Sequence, residues 1–541
     1  MVYGKIQTMK LSLDKPHKHI ELLQRKQDKQ GLTASEKDTL LALQQARLDF
    51  LEEQFRLAQH KLFASKNEAH PGQDDLFNEV EEITELEQEK AKNEEQQPTD
   101  NKKRTRNTKP FAEHIAREVI IHDIDDVDKV CACCQGKLHV MGKDVTEKLV
   151  FVPATTKIEE HHRLKYACRG CEKNDTRTPI KQASPVPSIL PKRYATPSLL
   201  AQLIIAKYQH GLPLYRQEVI FNQLGINLSR QTMSDWLIKI ANVLHPVLYE
   251  YWHKILLQQD VIKADETPLK VIHDDNIKSY MWVYSSGADS PTGNIKGDSA
   301  PNIVLYDYQP TRAGKCAVDF LQNDDKQHYT GYLHVDGYAG YHQSHATLVV
   351  CMAHIRRKFD EAQKAQSKTS KKTGKADWAL NHIQKLYRIE KQIKGLPIEE
   401  RYRIRQEKSA PLLNQFKTWL DKSAPNVLPE SLIGKALNYA RNQWDKAIRY
   451  VDDGRLDIDN NRSERAIKPF VTGRKAWLFS QTAKGANASA TLYSIIETAK
   501  ANGLIPYDYL MHVMNKIMHG ETAPDKLAPW NVKLGQCGSN D

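Results

Sequence analysis

Near residue 259 the chain changes from helical spacing of apolar residues to short runs rich in β-branched residues, and no other feature constrains the fold as strongly. Three strand-like runs come first, then a helix-like run, then a fourth strand-like run and a fifth that continues into a helix. The runs are 260–272, 278–287, 302–308, 311–322, 332–341 and 347–365. We interpret them as three strands, helix, strand, helix and strand, which is the order of an RNase H-like α/β core within a multidomain α+β chain.

Two aspartates interrupt the apolar runs of this predicted core. Asp265 lies in the first run and Asp336 at the end of the apolar part of the fourth. In such a core these two strands meet at the centre of the sheet. An unpaired charge there costs several kcal/mol, and a magnesium ion compensates it because it prefers carboxylate oxygens. Capped or salt-bridged aspartates remain the alternative for either residue taken alone.

A third acid is expected from residues 457–480, which contain Glu464 in a predicted helix after an asparagine-rich turn. Asp459 is its nearest competitor. Glu464 follows Asp336 by 128 residues, far more than the core needs. The excess is mostly helical in pattern, so we predict a helical insertion over residues 362–450.

Four cysteines in residues 110–183 form two CxxC pairs separated by 33 residues. The predicted zinc ligands are Cys131, Cys134, Cys168 and Cys171. Two such turns complete a tetrahedral structural Zn²⁺ site, and the strand-like stretch 147–167 would form a hairpin between them. Cys133 is surplus. Buried or degenerate cysteines without a metal are the alternative.

The N-terminal region, residues 1–70, contains a short heptad pattern in which Leu41, Leu48, Phe55 and Leu62 are each seven residues apart. A leucine-zipper-like coiled coil that pairs subunits is one interpretation. An amphipathic helix packed on its own core is the other. The charged residues 71–109 that follow have the composition of a linker.

Residues 184–250 begin with a proline-rich linker and continue with three helical patterns. Gly225 stands at the expected end of the second helix, and Ser229 is a plausible N-cap of the third. This spacing resembles a helix-turn-helix, in which Arg230 and Gln231 would face a DNA groove. A small helical bundle without a DNA role has the same pattern.

The charge distribution favours a polyanionic partner. The net charge is +11, although residues 74–98 carry ten acidic side chains against two lysines. Without this segment the remainder carries about +19, which attracts nucleic acid, although simple solubility also explains it. No apolar run approaches the roughly 20 residues of a membrane span, and no secretion signal is evident. We therefore expect a cytoplasmic, nucleoid-associated protein without a membrane partner.

Several segments together resemble the insertion sequence sixty-six family of bacterial DDE transposases. They are VIKADETPLKV, YLHVDGYAGY, CMAHIRRKF, DNNRSERAIKP, GRKAWLFS, LYSIIETAKANGLIPYDYL and LAPWN. The order of zipper, CxxC module, helix-turn-helix, catalytic core and C-terminal helical piece is also similar. The resulting division begins with the zipper-like region 1–70, the charged linker 71–109, the CxxC module 110–183 and the helix-turn-helix-like segment 184–250. The catalytic core follows as 251–361 and 451–500, interrupted by the helical insertion 362–450, and the C-terminal helical segment and tail are 501–541.

The resemblance implies an RNase H-like fold whose triad maps onto Asp265, Asp336 and Glu464. It also implies two Mg²⁺ (or Mn²⁺) ions and direct strand transfer by a 3′-hydroxyl. The implied partners are double-stranded DNA (element ends and target), a second subunit in a homodimer or larger synaptic assembly, and small accessory proteins of the same element.

Basic residues near the predicted acids are candidate DNA contacts. They are His354, Arg356, Arg357, Arg462, Arg465, Lys468, Arg474 and Lys475. Surface charge and one core histidine are the alternative interpretation.

Two other functions fit part of the sequence. A zinc-containing DNA-binding regulator without activity explains the zipper, the cysteines and the helix-turn-helix but leaves the acids of the core unexplained. A structure-specific nuclease explains the acids but would not join DNA ends. The intact acids favour the transposase over the regulator, and the resemblance favours it over the nuclease.

Overall fold

The computed structural model describes residues 156–166, 180–274, 278–298, 300–365 and 374–534, with isolated positions between 33 and 133. The chain divides into two compact units. The larger contains residues 189–532 and the described positions before residue 98, and the smaller contains those between 99 and 188. No helix among these described residues is long and apolar enough to cross a membrane.

In the smaller unit, β1 (Lys165–Tyr166) pairs antiparallel with β2 (Lys181–Gln182). The hairpin predicted within residues 147–167 stays a prediction, because residues 147–155 lie outside the described residues. Residues 156–164 have no regular structure, and β1 pairs with a strand beyond the second cysteine pair. The four predicted zinc ligands lie outside the described residues, while Cys133 is exposed with a free thiol.

The described positions of the N-terminal heptad pattern are helical. Leu41, Leu48 and Phe55 are 63%, 55% and 63% exposed, and Leu51 is 47% exposed. Apolar side chains at this spacing lie on one stripe of a helix. The stripe is thus available for contact, while Leu62 lies outside the described residues.

Three helices precede the sheet, as the sequence predicts: α1 (Pro197–Ile204), α2 (Leu214–Gln223) and α3 (Arg230–Leu244). Gly225 follows α2 with φ +78°, a conformation that favours glycine. The Ser229 side chain accepts a hydrogen bond from the Thr232 amide at 3.2 Å and caps α3. A further helix, α4 (Glu250–Leu256), leads to the sheet.

A five-stranded mixed sheet forms the centre of the larger unit. Its strands are β3 (Val261–Leu269), β4 (Ser279–Ser286), β5 (Ile303–Gln309), β6 (Tyr332–Val335) and β7 (Thr347–Val350). Their spatial order is β5-β4-β3-β6-β7. The first three strands pair antiparallel, whereas β6 pairs parallel to both β3 and β7.

The order of elements departs from the prediction at one place. α5 (Gly314–Phe320) separates β5 from β6, as expected. The helix expected between the fourth and fifth strands is only a 3₁₀ turn, Ala339–Gln343, and the long helix α6 (Met352–Lys364) follows β7 instead. A connection this short joins parallel strands because β6 and β7 have only four residues each.

The described residues of the predicted insertion are mostly helical. The helices are α7 (Lys375–Gln392), α8 (Ile398–Ile404), α9 (Ala410–Ser423) and α10 (Leu432–Ala447). They share one apolar core with α6, in which Phe359, Phe416 and Trp444 are buried. Burying aromatic side chains removes large apolar areas from water. Packing of the insertion helices against the buried face of α6 therefore holds this helix in place.

Four helices complete the unit: α11 (Asn461–Trp477), α12 (Ala483–Ala501), α13 (Pro506–Met518) and α14 (Pro524–Leu527). Helix α12 packs along the edge strand β5. The Val304 amide donates to Thr498 Oγ1 at 3.1 Å, and the Tyr306 amide donates to Ser494 Oγ at 2.8 Å. Hydroxyl groups thus satisfy backbone groups that an edge strand otherwise leaves open.

Candidate catalytic site

Two aspartates face each other across the central pair of parallel strands. In the register of β3 and β6, Lys263 pairs with His334. Extending this register by two residues sets Asp265 of β3 opposite Asp336, which directly follows β6. Neighbouring strands lie about 4.8 Å apart, and residues at the same register position share a face. The two side chains therefore start from neighbouring positions on the face that also carries Lys263.

Helix α11 brings Glu464 to the same face. The first turn of α11 lies beside β4, where Ser463 Oγ is 3.3 Å from Ser285 Oγ. Ser285 pairs with Lys263 in the sheet register, which identifies the face that α11 covers. Glu464 is 3% exposed, and its Oε2 atom has no hydrogen-bond partner among the described residues. A buried carboxylate oxygen without a donor is costly, so this arrangement calls for a cation or a proton.

The three acids influence one another electrostatically. Burial raises the pKa of Asp265 well above its ordinary value, and the charges of Glu266, Glu464 and Asp336 raise it further. Burial, with the charges of Asp459 and Asp336, raises the pKa of Glu464 to about 8. Such mutual destabilisation of the charged forms is what closely placed carboxylates produce without a cation.

Asp459, the competitor of Glu464, is occupied at the start of α11. Its Oδ1 and Oδ2 atoms accept hydrogen bonds from the Asn461 amide at 3.2 Å and from Asn461 Nδ2 at 2.8 Å. Burial, with the charge of Asp457, raises the pKa of Asp459 to about 6. Since Asp459 already accepts bonds from its helix and Glu464 Oε2 does not, the geometry favours Glu464 as the third acid.

Glu266, the neighbour of Asp265, faces the other side of the sheet. Arg312 forms an ion pair with it, with Nε 2.8 Å from Oε1, and Tyr341 donates its hydroxyl to Oε2 at 2.5 Å. Burial and the charge of Asp336 raise the Glu266 pKa, while Tyr341 and Arg312 lower it. This acid is thus satisfied by protein groups, unlike Glu464.

A buried ion pair braces the segment that leads into α11. Lys263 of β3 is 6% exposed and its ammonium group contacts the Asp457 carboxylate, which Arg401 Nη2 also approaches at 3.3 Å. Burial opposes ionisation of Asp457, but the charges of Lys263 and Arg401 outweigh it and hold its pKa well below the ordinary value. The brace fixes the segment 457–460 against the central strand.

Cys351 and His354 stand beside Glu464, and the sequence pointed to neither as its neighbour. Cys351 Sγ lies 4.0 Å and His354 Nδ1 3.7 Å from Glu464 Oε1. Potential ligand atoms of these three residues all lie within 4.8 Å of one another, and Asp265 and Asp336 are not in that cluster. One signal in the sequence could have shown that Cys351 and His354 are neighbours, namely their C-x-x-H spacing at the start of α6. Residues three positions apart lie next to each other on a helix, one turn apart.

The predicted DNA contacts fall into groups with different surroundings. Arg356 and Arg357 are half-buried on α6, and Arg357 Nε lies 3.8 Å from Glu361. Arg462 is buried, donates to the Ser286 carbonyl, and pairs at 2.8 Å with Asp289.

The remaining basic candidates lie nearer to the surface. Arg465 pairs with Asp289 at 2.6 Å, and Arg474 donates to Thr267 Oγ1 at 3.1 Å. Arg465 is exposed, as are Lys468, Lys475 and Arg230, and the uncharged candidate Gln231 is exposed too. Arg462 thus stabilises the segment that contains Ser286 and Asp289, whereas the exposed residues remain accessible to a partner.

The acids fit divalent metal ions. Asp265, Asp336 and Glu464 supply hard oxygen donors, and the buried Glu464 Oε2 lacks a donor among the described residues. Burial and neighbouring acidic charges raise the pKa values of Asp265 and Glu464. Mg²⁺ and Mn²⁺ prefer such ligands. A cation would neutralise the repulsion that the protein groups leave uncompensated.

The mixed sheet, with Asp265 and Asp336 at neighbouring register positions and the buried Glu464 on the covering helix, makes this protein a candidate metal-dependent enzyme. Comparison of sequences identifies the family. The chain belongs to the Transposase IS66 family, whose description its residues 192–488 match. Residues 128–172 match the zinc-finger binding domain of transposase IS66, and residues 494–530 match the IS66 C-terminal element. Residues 50–120 match the description "Transposase C of IS166 homeodomain".

Similar full-length relatives occur in Sinorhizobium fredii (strain NBRC 101917 / NGR234). The uncharacterized protein y4jD is 31% identical over 80% of this chain and 83% of its own length. The uncharacterized protein y4qI is 30% identical over 81% of this chain and 79% of its own length. Because these relatives are themselves uncharacterized, they establish kinship and not chemistry.

Proposed function

We propose that this member of a transposase family cleaves the 3′ ends of its element and joins them to target DNA, using divalent ions held by Asp265, Asp336 and Glu464. The observation that carries the proposal is the placement of the three acids. Two stand at one register position of adjacent parallel strands, and the third is a buried glutamate on the helix that covers that face. Burial, together with the charge of Asp336 and other neighbouring acids, raises the pKa values of Asp265 and Glu464.

The strand arrangement supports an RNase H-like core. In that interpretation three antiparallel strands are followed by two parallel ones, and the first strand lies at the centre. The order β5-β4-β3-β6-β7, with β3 central, agrees with it. In this interpretation Asp265 of the central strand β3 and Asp336, directly after β6, are the two acids at the centre of the core.

When bound, Mg²⁺ or Mn²⁺ ions would activate the attacking oxygen and stabilise the leaving oxygen of a phosphodiester. The protein's own part is to place and desolvate the acids. Burial of Glu464 removes competing water, and the brace of Lys263 and Asp457 fixes the segment that carries α11. Positioning of this kind supplies much of the rate enhancement in phosphoryl transfer.

Duplex DNA of the element ends and of the target is the proposed partner. The net charge of +11 favours a polyanion. Arg230 and Gln231 are exposed at the start of α3, the third helix of the segment that resembles a helix-turn-helix. Structural Zn²⁺ bound by the CxxC pairs, and a homodimer or larger assembly that brings two ends together, complete the proposal.

The test is a strand-transfer assay with the full chain, Mg²⁺, any accessory proteins, a DNA end of its own element and a supercoiled target. We expect Asp265→Asn, Asp336→Asn and Glu464→Gln each to lower joining by about 10²–10³-fold or more, as loss of a key transition-state interaction does. Asp459→Asn is the matched control, because it changes an acid of the same segment whose carboxylate accepts hydrogen bonds from Asn461. It should retain joining.

Other outcomes assign other functions. Joined products that persist in all three variants would refute the site. Metal-dependent cleavage without joining by the wild type would favour the nuclease, and DNA binding without metal-dependent chemistry would favour the regulator.

A further inference from the structure

Beside the proposed magnesium ligands lies a second set of donors with a different chemical character. Cys351 Sγ, His354 Nδ1 and Glu464 Oε1 lie within 4.8 Å of one another. The cysteine is fully buried, the glutamate is 3% exposed, and the histidine is half-buried. We propose that these three residues form a site for a thiophilic divalent cation, Zn²⁺ in the first instance, and that its occupation inhibits the magnesium-dependent reaction.

The separations suit tetrahedral coordination. Zinc bonds of about 2.3 Å to sulfur and 2.0–2.2 Å to nitrogen or oxygen set ligand atoms roughly 3.3–3.7 Å apart. In the structure Sγ and Nδ1 stand 4.0 and 3.7 Å from Glu464 Oε1. Small side-chain adjustments therefore bring the three donors to bonding distance. Three protein ligands with one open position are a common zinc arrangement.

The donors also lack better partners. Among the described residues, neither His354 Nδ1 nor Glu464 Oε2 has a hydrogen-bond partner. Nearly all buried polar atoms in proteins have a partner, so two such atoms beside the Cys351 thiol are consistent with a site that binds a cation. The Asn460 amide lies 3.2 Å from Cys351 Sγ, as a donor to a thiolate does.

Ligand chemistry separates this site from the proposed magnesium site. Magnesium prefers carboxylate oxygens and water, whereas thiolate and imidazole select zinc. Binding would replace the thiol proton of Cys351 by a zinc–sulfur bond, and the proton would leave to solvent. No electron is transferred.

Glu464 belongs to both sets, and this sharing predicts the inhibition. Its Oε1 faces Cys351 and His354, while Oε2 is free of protein donors. A zinc ion on Oε1 would hold the carboxylate and place a second positive charge beside the magnesium ligands. The inhibitory consequence rests on the proposed function, but the existence of the zinc site does not.

Metal binding is tested directly with the full chain. The protein is purified so that the tightly held structural zinc stays bound and weakly bound metal ions are removed. Co²⁺ serves as the spectroscopic probe, because a thiolate ligand gives it a charge-transfer band in the near ultraviolet. We expect the wild type to bind one more Co²⁺ per chain than Cys351→Ser, with a band that this variant lacks. Cys316→Ser is the matched control, since it also removes a buried free thiol, and it should behave as the wild type.

Equal stoichiometry and equal spectra of the wild type and Cys351→Ser would overturn the inference. His354→Asn provides a second test that does not depend on the folding of the cysteine variant, and it should also lose the extra ion. Circular dichroism identifies a variant that has failed to fold.

Inhibition is tested by adding Zn²⁺ to the strand-transfer assay in the presence of Mg²⁺. Even changes to outer-shell partners cost about 10–100-fold in metal affinity, so loss of Cys351 should raise the zinc concentration for half-inhibition at least about tenfold. Each variant is compared with its own zinc-free activity. If no strand transfer occurs, the proposed function fails, while the cobalt band still decides whether the site exists. If joining occurs and zinc inhibits both proteins equally, the regulatory part fails.

Discussion

Asn460 Nδ2 donates a hydrogen bond of 2.8 Å to the carbonyl oxygen of Ala264, the residue that precedes Asp265 in the central strand. The residues are 196 positions apart, and Asn460 is 1% exposed. This bond joins the start of the helix that carries Glu464 to the strand that carries Asp265. It is a direct link between two of the proposed catalytic elements, close to both acids.

We predict that Asn460→Ala impairs the proposed activity more than it impairs folding. Losing one buried hydrogen bond should cost about 1–3 kcal/mol of unfolding free energy. A displacement of Glu464 by about 1 Å should lower strand transfer by roughly a hundredfold. Urea unfolding and the strand-transfer assay, each at saturating Mg²⁺, measure the two effects.

Asn502→Ala is the matched control for this variant. Asn502 Nδ2 also donates to backbone carbonyls, those of Asn302 at 2.7 Å and Thr498 at 2.8 Å, but it does so at the far end of α12. It should lose similar stability and keep its activity per folded molecule. Equal activity losses in both variants would refute a specific role of Asn460.

The ion pair of Lys263 and Asp457 should make stability depend on acid pH. The folded pKa of Asp457 lies below its ordinary value of 3.8 because Lys263 and Arg401 outweigh the effect of burial. The pair therefore contributes stability that is complete well above pH 3.8 and is lost as the pH falls through the folded pKa. At pH 7, Asp457→Asn should cost about 3 kcal/mol, since it leaves Lys263 buried without its partner.

Urea unfolding at several pH values tests this expectation. The difference between the wild type and Asp457→Asn should be largest near pH 7 and should shrink as the pH is lowered below 4, the ordinary range of a free aspartate. A difference that stays constant over this range would contradict the assignment.

Leu478 has a strained backbone at the end of α11. Its φ of 65° and ψ of −43°, with a hydrogen bond of 2.8 Å from the Phe479 amide to the Trp477 carbonyl, define a γ-turn that is rare for non-glycine residues. Leu478→Gly should relieve the strain and raise the unfolding free energy by about 1 kcal/mol. Leu478→Ala keeps the Cβ atom and should not. A similar gain for both would assign the effect to the exposed side chain, which is 66% accessible.

The exposed stripe of Leu41, Leu48 and Phe55 should mediate self-association. Leu48→Lys places a charge on a seam that a partner helix would bury. We expect the dissociation constant of the assembly to rise at least about tenfold, corresponding to roughly 1.4 kcal/mol, in analytical ultracentrifugation. Glu53→Lys, which falls opposite the seam in the heptad pattern, is the control. An unchanged oligomeric state in Leu48→Lys would favour the helix that packs on its own chain.

The zinc module is tested by metal content. Cys168→Ser removes one predicted ligand from the segment that matches the zinc-finger binding domain. Tightly held zinc should fall by one ion per chain, because a structural site needs four ligands. Cys133→Ser should retain it, since Cys133 is surplus to the two CxxC pairs. Unchanged zinc in Cys168→Ser would show that these cysteines do not bind the ion.

Much of the local structure was predictable. The strand-like runs become β3 to β7, and Ser229 caps α3 as expected. The failure between β6 and β7 has a physical reason. The two strands have only four residues each, so a short connection with a 3₁₀ turn returns the chain to the start of the parallel neighbour. Longer strands would need a longer return, which a helix usually provides.

The neighbours of Glu464 were not predictable to the same extent. Cys351 lies 113 residues before Glu464, and no periodicity relates them. Arg462 looked like its basic neighbours in the sequence, yet it is buried against Ser286 and Asp289. Side-chain surroundings of this kind depend on which helix face meets the sheet.

The sequence by itself determined most of the helices and strands of the core, and which acids interrupt apolar strands, because hydrophobic periodicity and capping act over a few residues. Only the tertiary structure decided that Asp265 and Asp336 share one register position and that Glu464 meets Cys351 and His354. Strand pairing and helix packing join segments more than a hundred residues apart, and the free energy of those contacts belongs to the assembled core rather than to any local segment.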